Sequence, residues 1–184
     1  MKKNFKPQPL FYPLPVLIIG TYDEKGNPNA MNAAWGGISD MTEVRISLSS
    51  HKTTDNLLKT GAFTVAFATL ETVVQSDYVG IVSANSEKDK MKKSGLTVVK
   101  SANVNAPYFE EYPVTLECRV KSFENEVLIG EIVNILVDEK VIDKEGKVDA
   151  SKAHFIAYDP SRHYYLELNG EEVGHAFRDG LKLK

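Results

Sequence analysis

Two long apolar runs separated by three polar residues restrict this chain more than any other feature it has. Val114 to Phe123 and Val127 to Val137 are rich in valine, isoleucine and leucine, with Glu124-Asn125-Glu126 between them. β-Branched and aliphatic runs flanking a polar turn specify a β-hairpin, and so an antiparallel pair. Shorter strands precede it. Val16 to Tyr22 leads into the turn-forming Asp23 to Pro28, and Pro28 to Ala34 is the returning arm. Val44, Ile46 and Leu48 alternate with Arg45, Ser47 and Ser49, so the third strand buries one face. Thr53 to Lys59 forms a short helix closed by Gly61, after which Ala62 to Ala68 resumes as a strand. Glu71 to Val79 carries Val73, Val74, Tyr78 and Val79 on one helical face. Short strands with only two or three helices and no alternating βαβ rhythm indicate a mainly β fold, an antiparallel barrel with helical decoration.

One domain spanning residues 1–184 is expected, since no internal repeat or long linker divides the chain. Residues 1–12 form a lead-in; Pro7, Pro9, Pro13 and Pro15 interrupt its apolar stretch too often for a signal peptide. Residues 158–184 form a tail whose Tyr158, Tyr164, Tyr165, His175 and Phe177 call for packing on the barrel or on a partner subunit. A net charge of −3 gives no overall attraction to phosphate backbones, so neither nucleic acid nor an anionic membrane is an expected partner. The single cysteine, Cys118, excludes an intrachain disulfide and points to a reducing compartment, the cytoplasm. As it lies in a strand pattern, a core thiol is expected rather than a nucleophile, and no catalytic side chain is assigned. His51, His154, His163 and His175 are scattered, so no metal site is expected.

Two stretches carry chemistry. Asn29 to Gly37 mixes small residues, amides and the only tryptophan, a composition that lets backbone approach a flat ligand. Trp35 there serves either as an aromatic at the ligand edge or as a large core residue. Ser47 to Asn56 ends a strand in hydroxyls, an imidazole and a lysine just before a helix begins, which gathers backbone N–H donors and a cation as a seat for phosphate. The lysines between Ser86 and Lys93 read as a solvated helix face. The glycines at 20, 36 and 37 lack the spacing of a dinucleotide fingerprint or a P-loop.

Taken in order, Pro13-Leu14-Pro15-Val16, Asn32-Ala33-Ala34-Trp35-Gly36-Gly37, Ser47-Leu48-Ser49, Thr53-Thr54-Asp55-Asn56-Leu57, Gly61-Ala62-Phe63-Thr64-Val65 and Asp77-Tyr78-Val79-Gly80-Ile81-Val82-Ser83 resemble the flavin reductase-like, FMN-binding split-barrel family, in its flavoredoxin-like branch. The resemblance implies a six-stranded antiparallel Greek-key split barrel, a homodimer, and FMN near the subunit interface. It implies that Asn32, Ala33, Ala34 and Trp35 lie along the isoalloxazine and ribityl chain. Ser49, Ser50, His51, Lys52 and Thr53 then face the phosphate, and Ser83, Ala84, Asn85 and Lys90 complete the pocket. Ala84 stands where many relatives have glycine. Where two-component flavin reductases commonly show Gly-Asp-His, this chain has Glu124-Asn125-Glu126, without the imidazole. The function implied is electron transfer through bound FMN, with a redox partner protein or NAD(P)H as candidate donor. The alternatives are an NAD(P)H:flavin oxidoreductase supplying reduced flavin to a partner, and a non-catalytic flavin-binding module.

Overall fold

The computed structural model describes residues 1–184. Its elements run β1 (Leu14–Pro15), β2 (Leu17–Tyr22), β3 (Pro28–Ala33), β4 (Gly36–Asp40), β5 (Glu43–Ser47), α1 (Lys52–Thr60), β6 (Ala62–Phe67), α2 (Val73–Ile81), α3 (Lys90–Ser94), β7 (Val98–Lys100), β8 (Pro107–Phe109), β9 (Val114–Glu124), β10 (Val127–Val137), α4 (Ala150–Ala153), β11 (Ile156–Asp159) and β12 (Tyr164–Glu167). The long apolar hairpin is β9–β10, closed by Asn125 and Glu126, both at positive φ (50° and 62°). Two consecutive left-handed residues match the right-handed twist of the strands they join.

Seven strands pair antiparallel in the order β3-β2-β6-β9-β10-β5-β4, the curled sheet of a split barrel. The chain leaves β5 at one end of this sheet, passes through α1, and re-enters beside β2 as β6, so neighbours in space are not neighbours in sequence. The sheet has one strand more than the six expected. The addition is β4, whose Gly36-Gly37-Ile38-Ser39-Asp40 has no alternation to announce it, and which lies exposed at the edge.

Strand alternation divides most of the buried hydrophobic residues into two main cores. Leu17, Ile19, Val44, Ile46, Phe63, Val65, Leu116, Cys118 and Leu128 meet inside the curl, with Leu48 and Leu57 closing its end. Ile18, Ala30 and Ala66 point outward and are covered by Val79 of α2 together with Leu96, Phe109, Tyr112 and Ile156. Both faces of β2 and β6 are therefore buried, which explains their near-continuous apolar sequences. Helix α1 ends where expected: Gly61 takes the left-handed conformation (φ 70°) and its N–H bonds Leu57 O. It begins at Lys52, one residue before the expected start.

Three local expectations change. Val74 is exposed rather than on the packed face of α2. Lys90, read as part of a solvated lysine face, is buried at 3% exposure because α3 lies against β3. The tail divides: β11 and β12 form a small sheet with β1, and Tyr158 and Tyr165 pack on the outer core, whereas His175 and Phe177 are exposed.

Candidate functional site

A cleft of about 570 Å³ opens where the end of β3, the β5–α1 loop, α2 and the β11–β12 hairpin converge. That volume suits a small-molecule site. Met31 to Trp35 supply one wall, Ser47, Leu48, Ser49 and His51 another, Asp77, Gly80 and Ile81 a third, and Tyr158, His163 and Tyr165 the last. Trp35 is half-exposed in this wall and in neither core, which sets aside its reading as a large core residue.

Asn32 is the best-fixed polar group in the cleft. Its Nδ2 donates to Ser76 O of α2 (3.1 Å) and to the Tyr165 hydroxyl (3.3 Å), and that hydroxyl donates to Asp77 Oδ1 (2.8 Å). Burial, with the Asp77 hydrogen bond adding to it, holds the Tyr165 hydroxyl far above the usual phenol range, so it stays protonated. The contact depends on Gly80: a Cβ there would lie 2.9 Å from Asn32 Cβ and push α2 off β3. On the other walls Ser49 Oγ meets His51 Nε2 (2.9 Å), and the Tyr158 hydroxyl meets His163 Nδ1 (2.6 Å).

The start of α1 borders the cleft with its first-turn N–H groups unclaimed by any side chain. His51 occupies the cap position in extended conformation and makes no capping bond, while the Thr54 hydroxyl is turned back to donate to Ser49 O (2.8 Å). Unsatisfied donors at a helix start carry partial positive charge.

A second hollow of about 440 Å³ lies on the other side of the α1 start, lined by Lys52, Ala84 and Lys90 with Asp23, Asn29 and Lys88 among others. Lys90 Nζ donates to Ala30 O (2.6 Å), and burial lowers its pKa to about 8.

Of the residues singled out from sequence, Asn32, Ala33, Ala34, Trp35, Ser49 and His51 therefore share the cleft, and Lys52, Ala84 and Lys90 share the neighbouring hollow. Ser50, Thr53, Ser83 and Asn85 line neither. Ser50 is exposed, and Thr53 is buried under the helix start with its hydroxyl accepting from Asn29 Nδ2 (2.7 Å). Ser83 and Asn85 form an exposed turn in which Asn85 N donates to Ser83 Oγ (3.2 Å). Asp77, Gly80, Ile81, Tyr158, His163 and Tyr165 were not singled out as site residues. The only signals for them were the aromatic density of the tail and the Asp77–Ile81 stretch already quoted for its likeness. Cys118 is fully buried opposite Phe63, and burial raises its thiol to about 12, which removes thiolate chemistry. Arg119, its neighbour in sequence, is exposed. No helix is long and apolar enough to cross a membrane.

Residues 10–158 match the family model described as the flavin reductase like domain. Among solved structures, the flavoredoxin of Desulfovibrio vulgaris (Miyazaki F) is 34% identical over 98% of this chain and 100% of its own, with a TM-score of 0.93. A flavoredoxin from Methanosarcina acetivorans superposes with a TM-score of 0.88 at 24% identity, covering both chains fully. Nitrilotriacetate monooxygenase component B from Bacillus cereus shares the fold more distantly, with a TM-score of 0.77 and 19% identity over 89% of this chain and 88% of its own. None of the curated proteins matches the chain.

Proposed function

Because the chain belongs to the flavin reductase-like domain family, we propose that it binds FMN in the cleft beside β3 and serves as a redox protein of the flavoredoxin type. The observation that carries this is the graded chemistry that runs from the cleft to the α1 start and the hollow beyond it. A half-exposed tryptophan, two tyrosines and an oriented amide occupy one end, and uncapped helix N–H groups with Lys52 just beyond occupy the other. A flat heteroaromatic ring on a polar chain that ends in a dianion matches that gradient. The bound flavin would supply the electron transfer. The chain's own residues bind and orient: Ala33, Ala34 and Trp35 shield a ring face from water, and the α1 donors with Lys52 hold the phosphate.

An electron-carrier role is favoured over NAD(P)H:flavin oxidoreductase activity because the β9–β10 turn offers no imidazole. Its Glu126 carbonyl is already engaged by Leu48 N (2.8 Å). The exposed edge strand β4, with Trp35, Ile38 and Met41 uncovered, supports a homodimer that covers this side of the cleft. A cytoplasmic location and a redox partner protein complete the proposal.

The visible spectrum of the purified protein and a titration of the apoprotein with FMN test it. A yellow protein, or micromolar or tighter binding of FMN, is the expected result; a colourless protein unaffected by FMN overturns it. Stopped-flow mixing with NADH and NADPH then separates carrier from reductase, and light scattering separates a dimer from a 20.4 kDa monomer.

A further inference from the structure

The Asn32 carboxamide is locked in one orientation by groups that can bond it in only one way. Ser76 O is a carbonyl and can only accept, so the side chain must present its nitrogen there. The Tyr165 hydroxyl has one hydrogen, which goes to Asp77 Oδ1, leaving the phenolic oxygen to accept the second amide hydrogen. Both N–H bonds of Asn32 are thus consumed on the protein side. Turning the amide over would set Oδ1 against the Ser76 carbonyl and strip Tyr165 of its donor. Asn32 Oδ1 has no protein partner, yet it is not among the buried unpartnered atoms, so it is open to the cleft.

We propose that Tyr165 and Asp77 are positioning residues that hold Asn32 Oδ1 toward the cleft as an acceptor for a ring N–H of the bound flavin. This rests on the FMN proposal above. Asn32 is the group that touches the ligand, and Tyr165 and Asp77 act through it. Three crossings of the chain bring the parts together, since Asn32 is on β3, Ser76 and Asp77 on α2, and Tyr165 on β12. An amide free to rotate would offer donor and acceptor alternately; a locked one discriminates, because a ring position bearing a lone pair meets an acceptor and is repelled.

The experiment combines Tyr165→Phe, Asn32→Leu and the double variant, with FMN affinity measured in the oxidised and dithionite-reduced states and the midpoint potential recorded. In the apoprotein, the side-chain NH₂ signals of Asn32 are followed by NMR. Wild type should show two inequivalent, slowly exchanging Asn32 protons, and Tyr165→Phe should lose the protection of one. Each single variant should weaken flavin about five- to tenfold in at least one redox state. The double variant should be no weaker than Asn32→Leu alone, because Phe keeps the Tyr165 ring in the cleft wall and the hydroxyl it removes acts through Asn32. If the acceptor meets an N–H present only in the reduced ring, both single variants lower the midpoint potential by the same amount. Additive losses, or a Tyr165→Phe variant whose affinities and potential equal those of wild type, overturn the positioning role while leaving flavin binding intact. Absence of flavin binding in wild type overturns the FMN proposal and this role with it. Asp77→Asn, which keeps the size of the side chain, should fall between wild type and Tyr165→Phe; an effect larger than that of Asn32→Leu also counts against the role.

Discussion

Two polar clusters sit on the same outer face of the sheet, and they differ in what their central side chain faces. Around Asn32 on β3, both amide hydrogens and the Tyr165 hydroxyl have protein partners, while Asn32 Oδ1 and Asp77 Oδ2 are left free on residues that line the cleft. Around Glu117 on β9, three strands away, the central acceptor is fully engaged. The Glu117 carboxylate is fully buried and accepts from the Ser101 hydroxyl, from Asn103 Nδ2 (2.6 Å) and from Asn134 Nδ2 (2.6 Å). Desolvation opposes that charge, but the hydrogen bonds outweigh it and hold the carboxyl below its usual range. No counter-ion is present and none is required, as three neutral donors converge on two oxygens. A buried carboxylate with both oxygens engaged ties the 101–106 loop to the barrel. The same chemistry beside the cleft leaves acceptors free where the proposed ligand would lie. What separates the two is where the free acceptors stand, since Asn32 and Asp77 line the cleft and neither Asn103 nor Asn134 does.

Removing Glu117 should break this comparison most forcefully. Glu117→Ala leaves the buried Ser101 hydroxyl and the amides of Asn103 and Asn134 without their shared acceptor, at a cost of about 3 kcal/mol or more. Urea denaturation should show the loss, while flavin affinity, measured where the variant is still folded, should stay within about twofold of wild type. A change in affinity as large as that from Asn32→Leu would mean that the two clusters are not independent.

Lys90 belongs to neither cluster and gives a pH signature. Its folded pKa of about 8 lies below the 10.5 of an unburied lysine. Below pH 8 both folded and unfolded states hold the proton, and the cost of burying the charge is fully present. Between about 8 and 10.5 only the unfolded chain holds it, so stability rises with pH across that window, by at most about 3 kcal/mol. Lys90→Met should lack the rise and should be more stable than wild type at pH 7. Denaturation midpoints of both proteins at pH 7 and 10 check this; a wild-type curve parallel to that of the variant would show the charge to be solvated.

A smaller effect is expected at Lys52, on the rim of the neighbouring hollow. Charge-assisted hydrogen bonds contribute about 1.5–3 kcal/mol each, and a lysine that is only partly buried belongs at the low end. Lys52→Ala should therefore weaken FMN about tenfold and riboflavin hardly at all. Calorimetric titration of both flavins into both proteins supplies the four affinities, and equal weakening of the two ligands would move the phosphate away from the α1 start.

Least is expected of Cys118. Cys118→Ala removes one buried sulfur from the inner core and should cost about 1 kcal/mol of stability, with flavin binding unchanged. A loss of turnover beyond about tenfold with the fold intact would restore the thiol as a reacting group.

The sequence by itself determined the antiparallel character of the fold, the β2–β3 and β9–β10 hairpins, the position of α1 and its glycine stop. Each follows from local period, turn chemistry or a cap, which act over a few residues. It also singled out Asn32 to Trp35 and the β5–α1 loop, whose small and polar residues are anomalous for strands in a core. The tertiary structure alone decided the rest. Strand β4 has no alternation to read, because an exposed edge strand need not bury either face. The depth of Lys90 depends on α3 lying against β3, and local composition could not distinguish it from its solvated neighbours. The partners of Asn32 lie 44 and 133 residues away along the chain. No period or spacing encodes a contact of that range, and only the path through α2 and back along β12 closes it.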